Sequence, residues 1–119
     1  MAMQQVKDAE QYLTETINIL KQKNILEIIL FGSLNSQNFS EYSDIDLLII
    51  LDVDEIPQTY EEKMKLKLEL RKSIRHINRK IAIDMLVYTK KEYEIIKKEK
   101  SVFIEEIINT GKKVYEKAS

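Results

Sequence analysis

The run Asp44-Ile45-Asp46-Leu47-Leu48-Ile49-Ile50-Leu51 constrains this chain more than any other stretch. Side chains alternate across a strand. Beyond Asp46 both alternating sets are apolar, so the strand must be covered on both sides, as the central strand of a layered domain. The same alternation puts Asp44 and Asp46 on one face. Two carboxylates held side by side at the mouth of a buried strand repel each other, and a hard divalent cation relieves that repulsion. Acidic residues also gather at strand starts simply because turns favour them, so the pair needs support from elsewhere in the chain.

A second apolar run, Ile28-Ile29-Leu30-Phe31, ends at Gly32-Ser33, and ten residues separate Ser33 from Asp44. Gly32 is one of only two glycines. Backbone N–H groups exposed at a strand-to-helix turn bind anions, a glycine lets a phosphate approach the backbone, and the Ser33 hydroxyl adds a donor. Gly32 as a plain turn residue and Ser33 as a helix cap are the simpler alternatives. A third carboxylate, Asp84, lies inside the run Ile81-Ala82-Ile83-Asp84-Met85-Leu86-Val87. A carboxylate there is costly unless it is paired, hydrogen-bonded or bound to a metal. If its strand neighbours that of Asp44, all three carboxylates converge on a candidate Mg2+ site.

The remaining pattern reads as follows. Residues 4–23 carry apolar side chains at helical spacing (Val6, Ala9, Leu13, Ile17 and Leu20). Residues 25–31 read as a strand, residues 33–43 as a helical turn and loop, and residues 44–51 as the central strand. Thr59 with Glu62 and Thr89 with Glu92 have capping-box spacing. They open helices over residues 60–77 and 90–98, with a strand over residues 80–88 between them. Ser101 caps a last helix that Gly111 stops, and Val114-Tyr115 forms a short edge strand. The expected architecture is a small α/β (α+β) domain with a mixed sheet of three to four strands flanked by helices. The 119 residues suit a single domain, residues 1–119.

Composition narrows the function classes. Lys and Arg number 19 against 20 Asp and Glu, so no global charge favours a nucleic-acid or membrane partner. Direct nucleic-acid binding and membrane insertion are not expected. The absence of cysteine excludes disulfides and thiolate metal sites and fits a reducing, cytoplasmic setting. No signal peptide is read at the N-terminus.

Gly32-Ser33, the ten-residue gap, Asp44-x-Asp46 and the later Asp84 together resemble the nucleotidyltransferase superfamily of DNA polymerase β. The small size resembles its minimal nucleotidyltransferases, whose C-terminal pattern is echoed by Phe103, Ile107, Gly111 and Tyr115-Glu116. The resemblance implies a nucleotidyltransferase fold in which Asp44, Asp46 and Asp84 are catalytic and hold two Mg2+ ions. Gly32 and Ser33 would cradle the triphosphate of ATP. A nucleoside monophosphate, AMP by this reading, would pass to a hydroxyl, with Asp84 activating the acceptor. With no room for an acceptor-binding domain, the implied partner is a HEPN-type toxin, adenylylated on a tyrosine by this chain as antitoxin. A homo-oligomer is a further candidate assembly. Many members carry an Ala-Arg-Gly run after the Gly-Ser; here Asn35, Ser36 and Gln37 stand in its place, so that loop lacks its cation. The rival readings are a non-catalytic antitoxin that neutralises by contact, and a nucleotidyltransferase acting on a small hydroxylated molecule. Arg71 and His76 have the spacing of the HEPN ribonuclease motif, but they fall in an α/β chain. With Lys72, Arg75, Arg79 and Lys80 they read as a solvated basic helix face, also suited to an acidic partner.

Overall fold

A computed structural model describes residues 2–32 and 44–118. Helix α1 (Ala2–Leu20) leads into strand β1 (Ile25–Phe31). Strand β2 (Ile45–Leu51) follows, then helices α2 (Tyr60–Ser73) and α3 (Arg75–Asn78) and strand β3 (Ile83–Thr89). Helices α4 (Lys90–Lys98) and α5 (Val102–Thr110) and strand β4 (Lys112–Glu116) complete the described chain. The four strands form one sheet in the order β3-β2-β1-β4. β1 runs antiparallel to β2 and to β4, while β2 and β3 are parallel. A parallel pair needs a long crossover, which α2 and α3 supply. The expected α+β fold with a small mixed sheet and flanking helices is the one observed.

β2 is central and covered on both faces. Ile45, Leu47, Ile49 and Leu51 pack with Leu20, Leu70, Ile74 and Ile77 from the α1–α3 layer. Leu48 and Ile50 pack with Tyr93, Ile104 and Ile107 from α4 and α5 on the other face. Two apolar layers on one strand are what its unbroken apolar run demands.

The caps act largely as their spacing predicts. Thr89 forms a full capping box with Glu92. Thr59 accepts from the Glu62 N–H, but the Glu62 carboxylate turns to the Gln58 N–H instead, at 2.7 Å. Ser101 accepts from the Ile104 N–H. Lys63 ties α2 to the next elements: its ammonium lies 2.9 Å from the Glu92 carboxylate and 4.2 Å from the Tyr88 ring centre.

Three boundaries differ from expectation. The helix expected over residues 60–77 breaks at Ile74 (φ −114°, ψ 15°), and Ile74 and Ile77 are both buried. The break also places Arg71 and His76 on different helices. The strand expected from Lys80 starts at Ile83, because the Lys80 and Ile81 N–H groups still bond the Ile77 carbonyl. Gly111 does end α5, but with extended backbone (φ −76°, ψ 169°) rather than a left-handed cap. It is needed for space: a Cβ there would run into the Ile107 carbonyl and lie 2.7 Å from Ile29 Cγ2. β4, expected as a two-residue edge, extends over Lys112–Glu116.

Candidate active site

The antiparallel pairing of β1 with β2 and the parallel pairing of β2 with β3 bring three chain segments to one end of the sheet. Phe31 pairs with Asp46 across β1 and β2, and Asp46 pairs with Asp84 across β2 and β3. Asp46 and Asp84 are therefore direct neighbours on one face, roughly 4.8 Å apart at the backbone. It is the face of Leu48, Ile50, Leu86 and Tyr88, beyond the reach of α4 and α5. Asp46 is half-buried between Asp44 and Asp84, which are both exposed. The condition set by the sequence, that the Asp84 strand neighbour the Asp44 strand, is met.

Gly32 closes the other side of Asp46. Its φ of +78° lies in the left-handed region, and a Cβ built there would collide with the Asp46 carboxylate oxygen and lie 3.0 Å from its Cγ. Left-handed backbone and close approach both call for glycine. Just before the turn, Phe31 packs edge-to-face on Phe103 of α5, ring centres 6.4 Å apart, which fixes the strand end. The sequence flagged Phe103 only through its C-terminal pattern, and nothing in its spacing pointed to this contact. Ser33, the other cradle candidate, lies outside the described residues, as does the Asn35-Ser36-Gln37 run.

Electrostatics mark Asp46 as the focus. Burial, then the Asp84 charge, then the Asp44 charge push its carboxyl above the ordinary range. The donors are all carboxylate oxygens, the set a hard cation such as Mg2+ prefers. Repulsion at the half-buried Asp46 is what such a cation would relieve, so the residues fit the ion chemically. They are not yet closed around it: among the described residues, no three His, Cys, Asp or Glu side chains stand as a ready-made ligand group.

An open cleft of about 480 Å³ flanks the β3 side of this end. Asp44 and Asp84 line its inner end, and Arg71, Asn78, Arg79 and Lys80 line its outer wall. Asn78 is held by the Ile83 N–H, which donates to its Oδ1 at 2.8 Å. Sequence reading placed these cations on a solvated helix face. In the structure Arg71, Arg79 and Lys80 share one cleft with Asp44 and Asp84, and among the described residues none of the three forms an ion pair with either carboxylate.

Comparison with known proteins finds a family and two relatives. The family described as "Polymerase beta, Nucleotidyltransferase" matches residues 14–119. A protein of Methanocaldococcus jannaschii, provisionally named a protein adenylyltransferase, is 30% identical over 112 residues, covering 94% of this chain and all of that relative. A second, similarly named protein of the same organism is 48% identical over 48 residues, 38% of this chain and 48% of its own length. No solved structure matches. Among the described residues, no helix is long and apolar enough to cross a membrane.

Proposed function

This chain belongs to the polymerase β nucleotidyltransferase family, and we propose that it transfers AMP from ATP to a hydroxyl of a partner protein, using Asp44, Asp46 and Asp84. The observation that carries this reading is the register of Asp46 with Asp84, with Gly32 packed against the Asp46 carboxylate. The relatives' names, which speak of protein adenylylation, support a protein acceptor and an adenylyl group.

In this reading Gly32 and Ser33 hold the triphosphate, the glycine by leaving the backbone open and the serine by its hydroxyl. Asp44, Asp46 and Asp84 would hold two Mg2+ ions. Bound Mg2+ neutralises charge on the phosphates and lowers the pKa of an attacking oxygen. Asp84, on the outer strand, faces the acceptor and takes its hydroxyl proton. The acceptor oxygen bonds to the α-phosphorus, the α–β bridging bond breaks, and pyrophosphate leaves with that bond's electron pair.

The acceptor in this reading is a tyrosine of a HEPN-type toxin, with this chain as its cytoplasmic antitoxin. Incubation with Mg-ATP and the product of the adjacent gene tests this. An added adenylyl mass on that protein is expected with wild type and not with Asp44→Asn. No added mass in either case overturns it.

The asparagine, serine and glutamine at positions 35, 36 and 37 favour one second reading, a partner-binding antitoxin without turnover. Under it, an Asp44→Asn/Asp46→Asn double variant neutralises the toxin fully. Loss of neutralisation with binding intact would exclude it.

A further inference from the structure

We infer that the cleft walled by Arg71, Arg79 and Lys80 receives an acidic peptide segment, and that this segment presents the acceptor hydroxyl to Asp84. The inference rests on the transfer reading above and names the class of acceptor.

Position comes first. Asp46 and Asp84 lie on neighbouring strands, and Gly32, just past β1, packs against the other side of Asp46, so the proposed triphosphate cradle and Asp84 flank Asp46. β3 is an edge strand, and the cleft lies at its start, where Ile83 and Asp84 line it with Asp44. A group that approaches Asp84 through the cleft passes Arg79 and Lys80, while the cradle lies on the far side of Asp46. The two substrates thus have separate approaches.

Charge comes second. The chain as a whole carries a net charge of −1, so three cations on one wall are a local departure. Arg71 and Arg79 are exposed, and no carboxylate among the described residues pairs with either. Lys80 lines the cleft, and its ammonium rests 5.9 Å from the Tyr12 ring centre. The inner end is negative, through Asp44 and Asp84. A ligand matched to both ends has a neutral hydroxyl at its reacting point and carboxylates flanking it. A nucleic-acid strand carries charge at every step and would set phosphates against Asp44 and Asp84. It also draws its affinity from more phosphate contacts than three cations provide.

Access comes third. The cleft lining includes Ala82, small and exposed, so a peptide has room to approach. The backbone here is already engaged, the Ala82 carbonyl accepting from the Ile45 N–H and the Ile83 N–H donating to Asn78, so recognition falls to side chains. Asn78 spends its Oδ1 on Ile83, which leaves its Nδ2 as a donor at the wall.

The test uses a fluorescein-labelled pentapeptide, one tyrosine flanked by glutamates, against versions flanked by serines or lysines. Anisotropy reads binding whether or not transfer occurs, so it separates this inference from the catalytic reading. The acidic peptide is expected to bind at least about tenfold tighter than the serine peptide. Its affinity falls about tenfold or more in Arg71→Glu/Arg79→Glu and stays within about threefold in Arg79→Lys. Circular dichroism checks that the variants are folded. Equal binding of all three peptides overturns the inference, even if AMP transfer to a protein is observed. So does a reversal variant that weakens ATP rather than peptide, or a single-stranded oligonucleotide that binds more tightly than the acidic peptide.

Discussion

At Gly32 two demands meet on one atom position. The left-handed backbone alone costs a non-glycine residue about 1–2 kcal/mol, and a Cβ also strikes the Asp46 carboxylate. Gly32→Ala should destabilise the fold by about 2–3 kcal/mol in urea unfolding. In an Asp46→Ala background, where the clash is gone, the cost should shrink to the backbone share. An equal cost in both backgrounds would remove the contact from the account. Asp46 makes the second residue-scale prediction. Its carboxyl is raised by burial and by Asp84 and Asp44. The folded state therefore holds that proton more tightly than the unfolded chain. Stability is lost as pH climbs from the ordinary aspartate range through the raised value, and the full penalty stands at neutral pH. Asp46→Asn should melt higher than wild type at neutral pH without Mg2+. Added Mg2+ should raise the wild-type melting temperature and not the variant's, as followed by calorimetry. The three carboxylates and Gly32 were legible as types and spacings. Why Gly111 must be glycine was not, because its reason is the approach of Ile29 and the Ile107 carbonyl.

At the scale of elements, caps and apolar runs were readable because they are local. The Thr89 box and the Ser101 cap depend on residues three apart in sequence. The break at Ile74 was not readable, since the stripe Leu66, Leu70, Ile74 and Ile77 fits one helix equally well; burial against the sheet decides it. The cleft was equally hidden, since it gathers residues from α2, α3 and the starts of β2 and β3 that are far apart in sequence. One tie between elements gives a pH prediction. Asp52, just past β2, accepts from Lys117 at 2.7 Å and Lys90 at 3.1 Å, and these bonds hold its carboxyl below the ordinary range. Its contribution is present above the ordinary aspartate value and is lost as pH falls through the lowered one. Asp52→Asn should melt below wild type at neutral pH. The gap should close in acid and narrow in about 0.5 M salt. A gap that persists in acid would assign the loss to packing.

At the scale of the molecule, β2 carries both the core and the site. Asp44 immediately precedes it and Asp46 is its second residue, and the rest anchor two layers. Leu47→Ala on the α1–α3 side and Leu48→Ala on the α4–α5 side should each cost about 2–5 kcal/mol by urea unfolding. The pair together should approach the whole stability of a domain this size. A cost confined to one of them would mean that only one layer is packed. The central place of β2 was legible from its unbroken apolar run. Strand direction and the order β3-β2-β1-β4 were not, since alternation says nothing about which strand lies beside which. That order is what sets Gly32, Asp46 and Asp84 in a row and makes separate nucleotide and acceptor sides conceivable. The most direct measurement of that arrangement follows label from ATP into the product of the adjacent gene, with Mg2+ present. Label at the α-phosphate should transfer and label at the γ-phosphate should not. The rate should fall by about a thousandfold or more, about 4 kcal/mol, in Asp46→Asn and in Asp84→Asn. Transfer of the γ label, or undiminished transfer of the α label by both variants, would contradict the account.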